Sequence, residues 1–150
     1  MAESRRMTPE DAITLQKMMM MERPSYLENF TAFRSHDTLH IQCINAKNDG
    51  FFVLSLNNCL AGFFCLRGLD EGYEKPSFGV YVASKYQGKG LARLALKEAS
   101  NWCKRHSLPA IILKVTKNNK RAYCLYRRYG FIPTEYCDKR EDISMEKEIN

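Results

Sequence analysis

Six consecutive residues, Gln87-Gly88-Lys89-Gly90-Leu91-Ala92, have the types and spacing to hold a phosphate. Ahead of them Phe78, Val80 and Val82 alternate with Ser77, Gly79 and Tyr81, which predicts a strand. Behind them Leu91, Leu94, Ala95, Ala99, Trp102 and Cys103 recur at helical spacing. A strand, a glycine-rich turn and a helix start bring unpaired backbone N–H groups together, and two glycines let an anion approach the backbone. Lys89 adds a positive charge beside them.

The turn fits neither of two common nucleotide motifs. A nucleotide-hydrolase phosphate loop requires Gly-Lys followed by a hydroxyl residue, and Gly90 is followed by Leu91. A dinucleotide fingerprint requires a third glycine and a later acidic residue for the ribose, whereas the region after Trp102 is basic. Taken alone, the turn also reads as an ordinary strand-to-helix connection with surface glycines.

A second block follows. Ala110, Ile111, Ile112, Leu113 and Val115 predict a buried strand, with Lys114 its one charge. The polar stretch Thr116-Lys117-Asn118-Asn119 leads into a helix carrying Ala122, Leu125, Tyr126 and Tyr129, spaced i, i+3, i+4, i+7, and Gly130 stops it. With the pattern Gln87 to Ala92 and the run Asn119-Lys120-Arg121-Ala122-Tyr123-Cys124-Leu125-Tyr126-Arg127-Arg128-Tyr129-Gly130-Phe131, the chain resembles the GCN5-related N-acetyltransferase (GNAT) superfamily. The two blocks stand in the expected order, separated by one helix and one strand.

The resemblance implies acetyl-CoA as acyl donor and a mixed α/β domain over residues 1–150. Its mostly antiparallel central sheet would have splayed cofactor-binding strands and flanking helices. Gln87, Gly88, Lys89, Gly90, Leu91 and Ala92 would take the pyrophosphate, with the helix dipole adding favourable partial charge. Pantetheine would pair along the strand ending Tyr81-Val82-Ala83, and an N–H near Val82 would meet the developing oxyanion. Asn119 is carried over as a cofactor contact or helix cap, and Tyr126 as the general acid for the leaving thiolate. By periodicity alone Tyr126 reads equally as a core aromatic beside Leu125 and Ala122; Tyr123 and Tyr129 read as packing or rim residues. For a base, Glu74 and Asp70 lie in the loop before the cofactor strand, with surface solvation the plain alternative. Pro76-Ser77 stands where some members carry a glutamate, so no dedicated base is evident.

These residues need elements to position them. Residues 4–7 read as a short edge strand. Thr8-Pro9-Glu10-Asp11 then supplies a cap, a first-turn proline and a capping box for a helix to about residue 21. Met18, Met19, Met20 and Met21 fit core packing or an adaptable cleft wall. Residues 25–30 and Phe33 suggest a short aromatic helix, and the resemblance makes Tyr26, Phe30 and Phe33 acceptor-site candidates. Residues 38–46 read as helix or strand. Residues 51–56 and 59–66 form a hairpin across Asn57-Asn58, and residues 131–137 and 142–149 are the last strands.

Hydrophobic residues make up 45% of the 150, enough for one core without staples. No apolar run approaches the roughly 20 residues that span a bilayer, and no secretory segment is evident, so the expectation is a soluble cytoplasmic protein. The six cysteines lack the tight pairs of zinc sites; no metal is expected, and Cys65, Cys103 and Cys124 read as small buried hydrophobes. The net charge of +6 is dispersed and densest over residues 114–128, which suits a polyphosphate-bearing ligand better than nucleic acid. The acceptor expected is a primary amine of a small molecule, with amino sugars and sugar nucleotides among the candidates. Protein or peptide N-acetylation, a nucleic-acid module and a non-catalytic acyl-CoA sensor are the alternatives. Monomer and homodimer stay open.

Overall fold

The computed structural model describes residues 1–30 and 38–150. Strand β1 (Ala2–Arg6) is followed by helices α1 (Pro9–Met20), α2 (Pro24–Leu27) and α3 (Leu39–Asn45). Strands β2 (Gly50–Leu56), β3 (Cys59–Arg67) and β4 (Ser77–Val82) lead to helix α4 (Leu91–Arg105). Then come β5 (Ala110–Thr116), α5 (Lys120–Arg128), β6 (Ile132–Cys137) and β7 (Asp142–Glu148). The seven strands form one sheet in the order β1-β2-β3-β4-β5-β7-β6. All neighbours are antiparallel except β4 and β5, which meet only through Ser77 and Ile112.

The sequence reading holds for most elements. Asn57 and Asn58 both take positive φ, as a two-residue hairpin turn requires. Residues 38–46, open between helix and strand, form α3. The aromatic segment is helical only over Pro24–Leu27 and then turns to Phe30; Phe33 lies outside the described residues. No helix among the described residues is long and apolar enough to cross a membrane.

Helices cover both sheet faces because strand side chains alternate. On one face Phe64, Phe78 and Leu113 pack against Leu96, Ala99 and Trp102 of α4 and Tyr126 of α5. On the other Phe63, Cys65 and Tyr81 pack against Ala12, Leu15 and Met19 of α1 and Leu39 of α3. Each such fully buried large side chain contributes roughly 1.5–3 kcal/mol. Met19 is core, whereas Met20 and Met21 are exposed.

Helix α1 is fixed at its start. The Thr8 side chain accepts from the Asp11 N–H, and the Asp11 carboxylate accepts from the Thr8 N–H. Two hydrogen bonds from the Arg5 guanidinium, at 2.6 and 3.0 Å, do most to hold the Asp11 carboxyl down to about 2. Its folded-state pKa is depressed, so its stabilisation is full above pH ~4 and fades as pH falls towards ~2. Asp11→Ala should therefore cost about 1 kcal/mol or more in urea unfolding at pH 7. The difference from wild type should shrink by pH 2.5. A pH-independent difference would mean that packing, not the carboxylate, matters there.

Candidate active site

Beyond Ser77 and Ile112, β4 and β5 part. The Ile112 N–H donates to the Pro76 carbonyl at 3.0 Å, and Ser77–Ile112 is the one registered pair between the two strands. At the other end of β4 the Ala83 N–H donates to the Ala61 carbonyl at 2.8 Å. Polar groups alternate along a strand, so residues 81 and 83 face β3 while Val80 and Val82 face the gap. The gap opens into a cavity of about 630 Å³. Phe78, Gly79, Val80 and Val82 form its β4 wall, with Lys114 of β5 and Asn119, Arg121, Ala122, Leu125, Tyr126 and Arg128 opposite.

The phosphate end is built by the turn after β4. Ser84–Tyr86 makes one 3₁₀ turn, and Gly88 and Gly90 take φ of +74° and +82°. Those angles suit glycine and bring the chain into α4 with Gly90 as its N-cap. Helices α1 and α5 are capped by Thr8 and Asn119, whose side chains accept from Asp11 and Ala122 N–H groups. Helix α4 has no such cap. Its first N–H groups are therefore available to an anion. Gln87, Gly88, Gly90, Leu91, Ala92 and Arg93 line this end of the cavity. Arg121 stands beside Gly88, its guanidinium 3.7 Å from where a Cβ would lie.

Tyr126 is buried, 8% exposed, on α5. Its ring meets Phe78 and Phe131 edge-on, at 6.5 and 5.9 Å, so the core reading of this residue is met as well. Burial pushes its phenol up to about 12. The hydroxyl has no hydrogen-bond partner among the described residues, and Tyr126 lines the cavity. It is a neutral, protonated donor without an acceptor.

One wall of the cavity is aromatic. Tyr26, Asn29 and Phe30 line it, and the Tyr26 hydroxyl donates to the Val82 carbonyl at 2.5 Å. Glu22, one turn earlier, grips the same strand from the α1 face. Its Oε2 accepts from the Tyr81 hydroxyl at 2.7 Å and the Ser84 N–H at 2.9 Å, and its Oε1 from the Ser84 hydroxyl at 2.7 Å. Desolvation pushes the Glu22 carboxyl up, but these bonds outweigh it and hold the group below the usual carboxylate range. Burial, seconded by the Glu22 charge, raises the Tyr26 phenol to about 12, against a small opposing pull from Arg121.

The structure thus brings Val82, Gln87, Gly88, Gly90, Leu91, Ala92, Asn119 and Tyr126 to one cavity. Tyr81 and Ala83 are buried on the α1 side, and Lys89 is exposed outside the lining. Glu74 is exposed in the loop before β4, with Val82 about 17 Å along the strand from Ser77. The Asp70 carboxylate accepts instead from the N–H groups of Lys47, Asn48 and Asp49. Cys65 and Cys103 are buried as expected, but Cys124 is exposed and lines the cavity. It falls off the apolar stripe of α5, which the cysteine's general preference for burial does not override.

Sequence reasoning missed Glu22, Arg93 and Asn29. For Glu22 no local signal exists, since its partners lie 59 and 62 residues away.

Residues 15–131 match the acetyltransferase (GNAT) family model. A spermidine N(1)-acetyltransferase of Escherichia coli is 30% identical over 105 residues, which are 69% of this chain and 56% of that protein. The chain therefore spans little more than half the length of that relative. Among solved structures, the PaiA N-acetyltransferase of Thermoplasma acidophilum, in complex with coenzyme A, superposes with a TM-score of 0.78 at 20% identity, over 99% of both chains. Mutant forms of the spermidine/spermine N-acetyltransferase of Vibrio cholerae give 0.75 at 21% identity, over 99% of this chain and 95% of theirs. With its split sheet, uncapped helix and two motif blocks in place, this chain belongs to the GNAT acetyltransferase family.

Proposed function

We propose that the protein transfers an acetyl group from acetyl-CoA to a primary amine of a small, polyamine-type molecule. One observation carries the reading. A single cavity joins an uncapped helix N-terminus, a free strand edge and the unpartnered hydroxyl of Tyr126. The order of acceptors follows the 30%-identical spermidine N(1)-acetyltransferase, so amino sugars and sugar nucleotides move down.

The chemistry follows from the placement. The pyrophosphate is held by N–H groups at the start of α4, with Arg93 and Arg121 adding charge. The pantetheine amides pair with the polar groups of Val80 that face the gap. The Val82 N–H stabilises the oxyanion as the neutral amine adds to the thioester carbonyl. The C–S bond then breaks, Tyr126 gives its proton to the departing thiolate, and solvent reprotonates the phenolate. The amine's own proton leaves to water, since Glu74 does not line the cavity and Glu22 is held as a weak base.

Acetyl-CoA at about 100 times its Kd should stabilise the fold by about 2.7 kcal/mol, raising Tm by roughly 5–10 °C. Gly90→Trp should abolish that shift. A Cβ there meets nothing within 4 Å, so a side chain can leave the backbone at the turn where the anion is to approach. The positive φ makes the variant somewhat less stable without ligand. An unchanged Tm in wild type with saturating acetyl-CoA would sink the reading. Thiol release measured across diamines, polyamines, amino sugars and peptides then ranks acceptors, and turnover on peptides alone would reverse the order proposed.

A further inference from the structure

We propose that Glu22 is a positioning residue for acetyl transfer, fixing the end of β4 so that the Val82 N–H is aimed into the gap. The inference rests on the acetyltransferase reading above and names a residue outside the cavity on which turnover depends.

The end of β4 lacks ordinary support. Ser77–Ile112 is its one registered pair with β5, so beyond it only β3 lies alongside. The β3–β4 register ends at Gly62–Val82, and past it one bond remains, from the Ala83 N–H to the Ala61 carbonyl. Ala61 is itself the extra residue of a bulge in β3. A strand end with one neighbour frays readily. A donor for a developing oxyanion, by contrast, works only when its direction is set beforehand.

Glu22 supplies the missing hold. Its carboxylate accepts from the Tyr81 hydroxyl, the Ser84 N–H and the Ser84 hydroxyl, and so brackets Val82 from both sides. Bonds to an ionised acceptor are roughly twice as strong as neutral ones. Tyr81 is a rigid point of attachment, buried and packed on Phe63 and Phe30. Four residues further on, Tyr26 donates to the Val82 carbonyl, so one short segment holds residues 81, 82 and 84.

Helix energetics do not explain an acid at this place. Glu22 directly follows Met21, the C-cap of α1, where the helix dipole disfavours negative charge. Among the described residues the ion pairs are Arg5–Asp11, Lys75–Glu146, Lys117–Asp138 and Arg140–Asp142, and none includes Glu22. Its three bonds to the end of β4 are what its charge serves. The anion site lies farther on, past Gly88 and Gly90, on a helix anchored by its own buried Leu91, Ala95 and Leu96. Loss of Glu22 therefore reaches the Val82 N–H and spares donor binding.

The test measures kcat, the Kd for acetyl-CoA and Tm in wild type, Glu22→Ala, Glu22→Gln and Tyr81→Phe. The acceptor is the amine that wild type turns over fastest, with thiol release as the readout. Glu22→Ala should lower kcat by roughly 10- to 100-fold and leave the Kd within about threefold. Glu22→Gln should recover kcat to within about fivefold of wild type, because its amide oxygen accepts from Tyr81 and the Ser84 N–H while its NH₂ donates to the Ser84 hydroxyl. Tyr81→Phe keeps the buried ring and removes one bond, so kcat should fall about 3- to 10-fold even if Glu22→Ala does not fold. Unchanged kcat in Tyr81→Phe, or in a folded Glu22→Ala of lower Tm, would make Glu22 a structural anchor and overturn the proposal. A Glu22→Gln as slow as Glu22→Ala would overturn it too, by assigning the effect to charge instead of position. No thiol release by wild type on any amine would overturn the acetyltransferase reading itself.

Discussion

Tyr126→Phe should fold like the wild type and lose roughly 10- to 1000-fold in kcat. The substitution removes one oxygen and keeps the ring that packs on Phe78 and Phe131. No protein partner is orphaned, because the hydroxyl has none among the described residues. The lost proton donor acts on the thiolate as it leaves, so kcat and kcat/KM fall together while the Kd for acetyl-CoA moves little. The phenol stands at about 12, so it stays a donor across neutral pH, and its ionisation should not limit the wild-type rate below pH 10. Steady-state kinetics from pH 6 to 10 with a thiol readout check this. Full turnover in the variant would make Tyr126 a core residue only and assign thiolate protonation to water.

Gly62→Ala should be strongly destabilising. A Cβ at residue 62 would lie 2.1 Å from the Tyr81 carbonyl oxygen and 3.0 Å from the Val82 Cα. Both are backbone atoms, so no side chain can swing aside. The requirement arises from a bulge: Leu54 pairs with Gly62 and Ser55 with Leu60, leaving Ala61 as the extra residue that presses β3 onto β4. Overpacking commonly costs 1–3 kcal/mol, and a rigid neighbour puts this site at about 3 or above. That corresponds to a fall in Tm of roughly 6–12 °C. The displaced atoms include those that carry the Val82 N–H, so the folded fraction should also lose acetyl transfer. A variant with unchanged Tm and activity would show that the bulge relaxes freely.

How much of this was legible in the sequence depends on the range of each interaction. Local signals sufficed for α1, where Thr8, Pro9 and Asp11 lie within one turn, and for the Asn57-Asn58 hairpin. The two blocks around Gly90 and Tyr126 gave the cavity's two working ends, because each is a turn-plus-helix unit that folds by neighbour chemistry. Glu74 adjoins β4 in sequence, but a strand separates its two ends in space, and this loop lies at the Ser77 end, away from Val82. Tyr81 and Lys89 belong to the two motif segments by sequence. Strand alternation sends the Tyr81 ring to the α1 face, and Lys89 stands on the outer side of the turn. Glu22 was beyond reach, since a residue at the end of one helix shows nothing of a tyrosine 59 positions on.

The parting of β4 from β5 has a consequence beyond ligand access. Backbone hydrogen bonding carries cooperativity across a sheet, and here it is almost interrupted between β1–β4 and β5–β7. The two halves communicate mainly through helix packing on one face, where Leu96 and Trp102 of α4 share a core with Tyr126 of α5, whose ring meets Phe78 of β4. Opening along this seam exposes less surface than global unfolding, so it costs less. A molecule seated in the seam would act as an eighth strand, restoring the missing ladder and making the halves unfold as one.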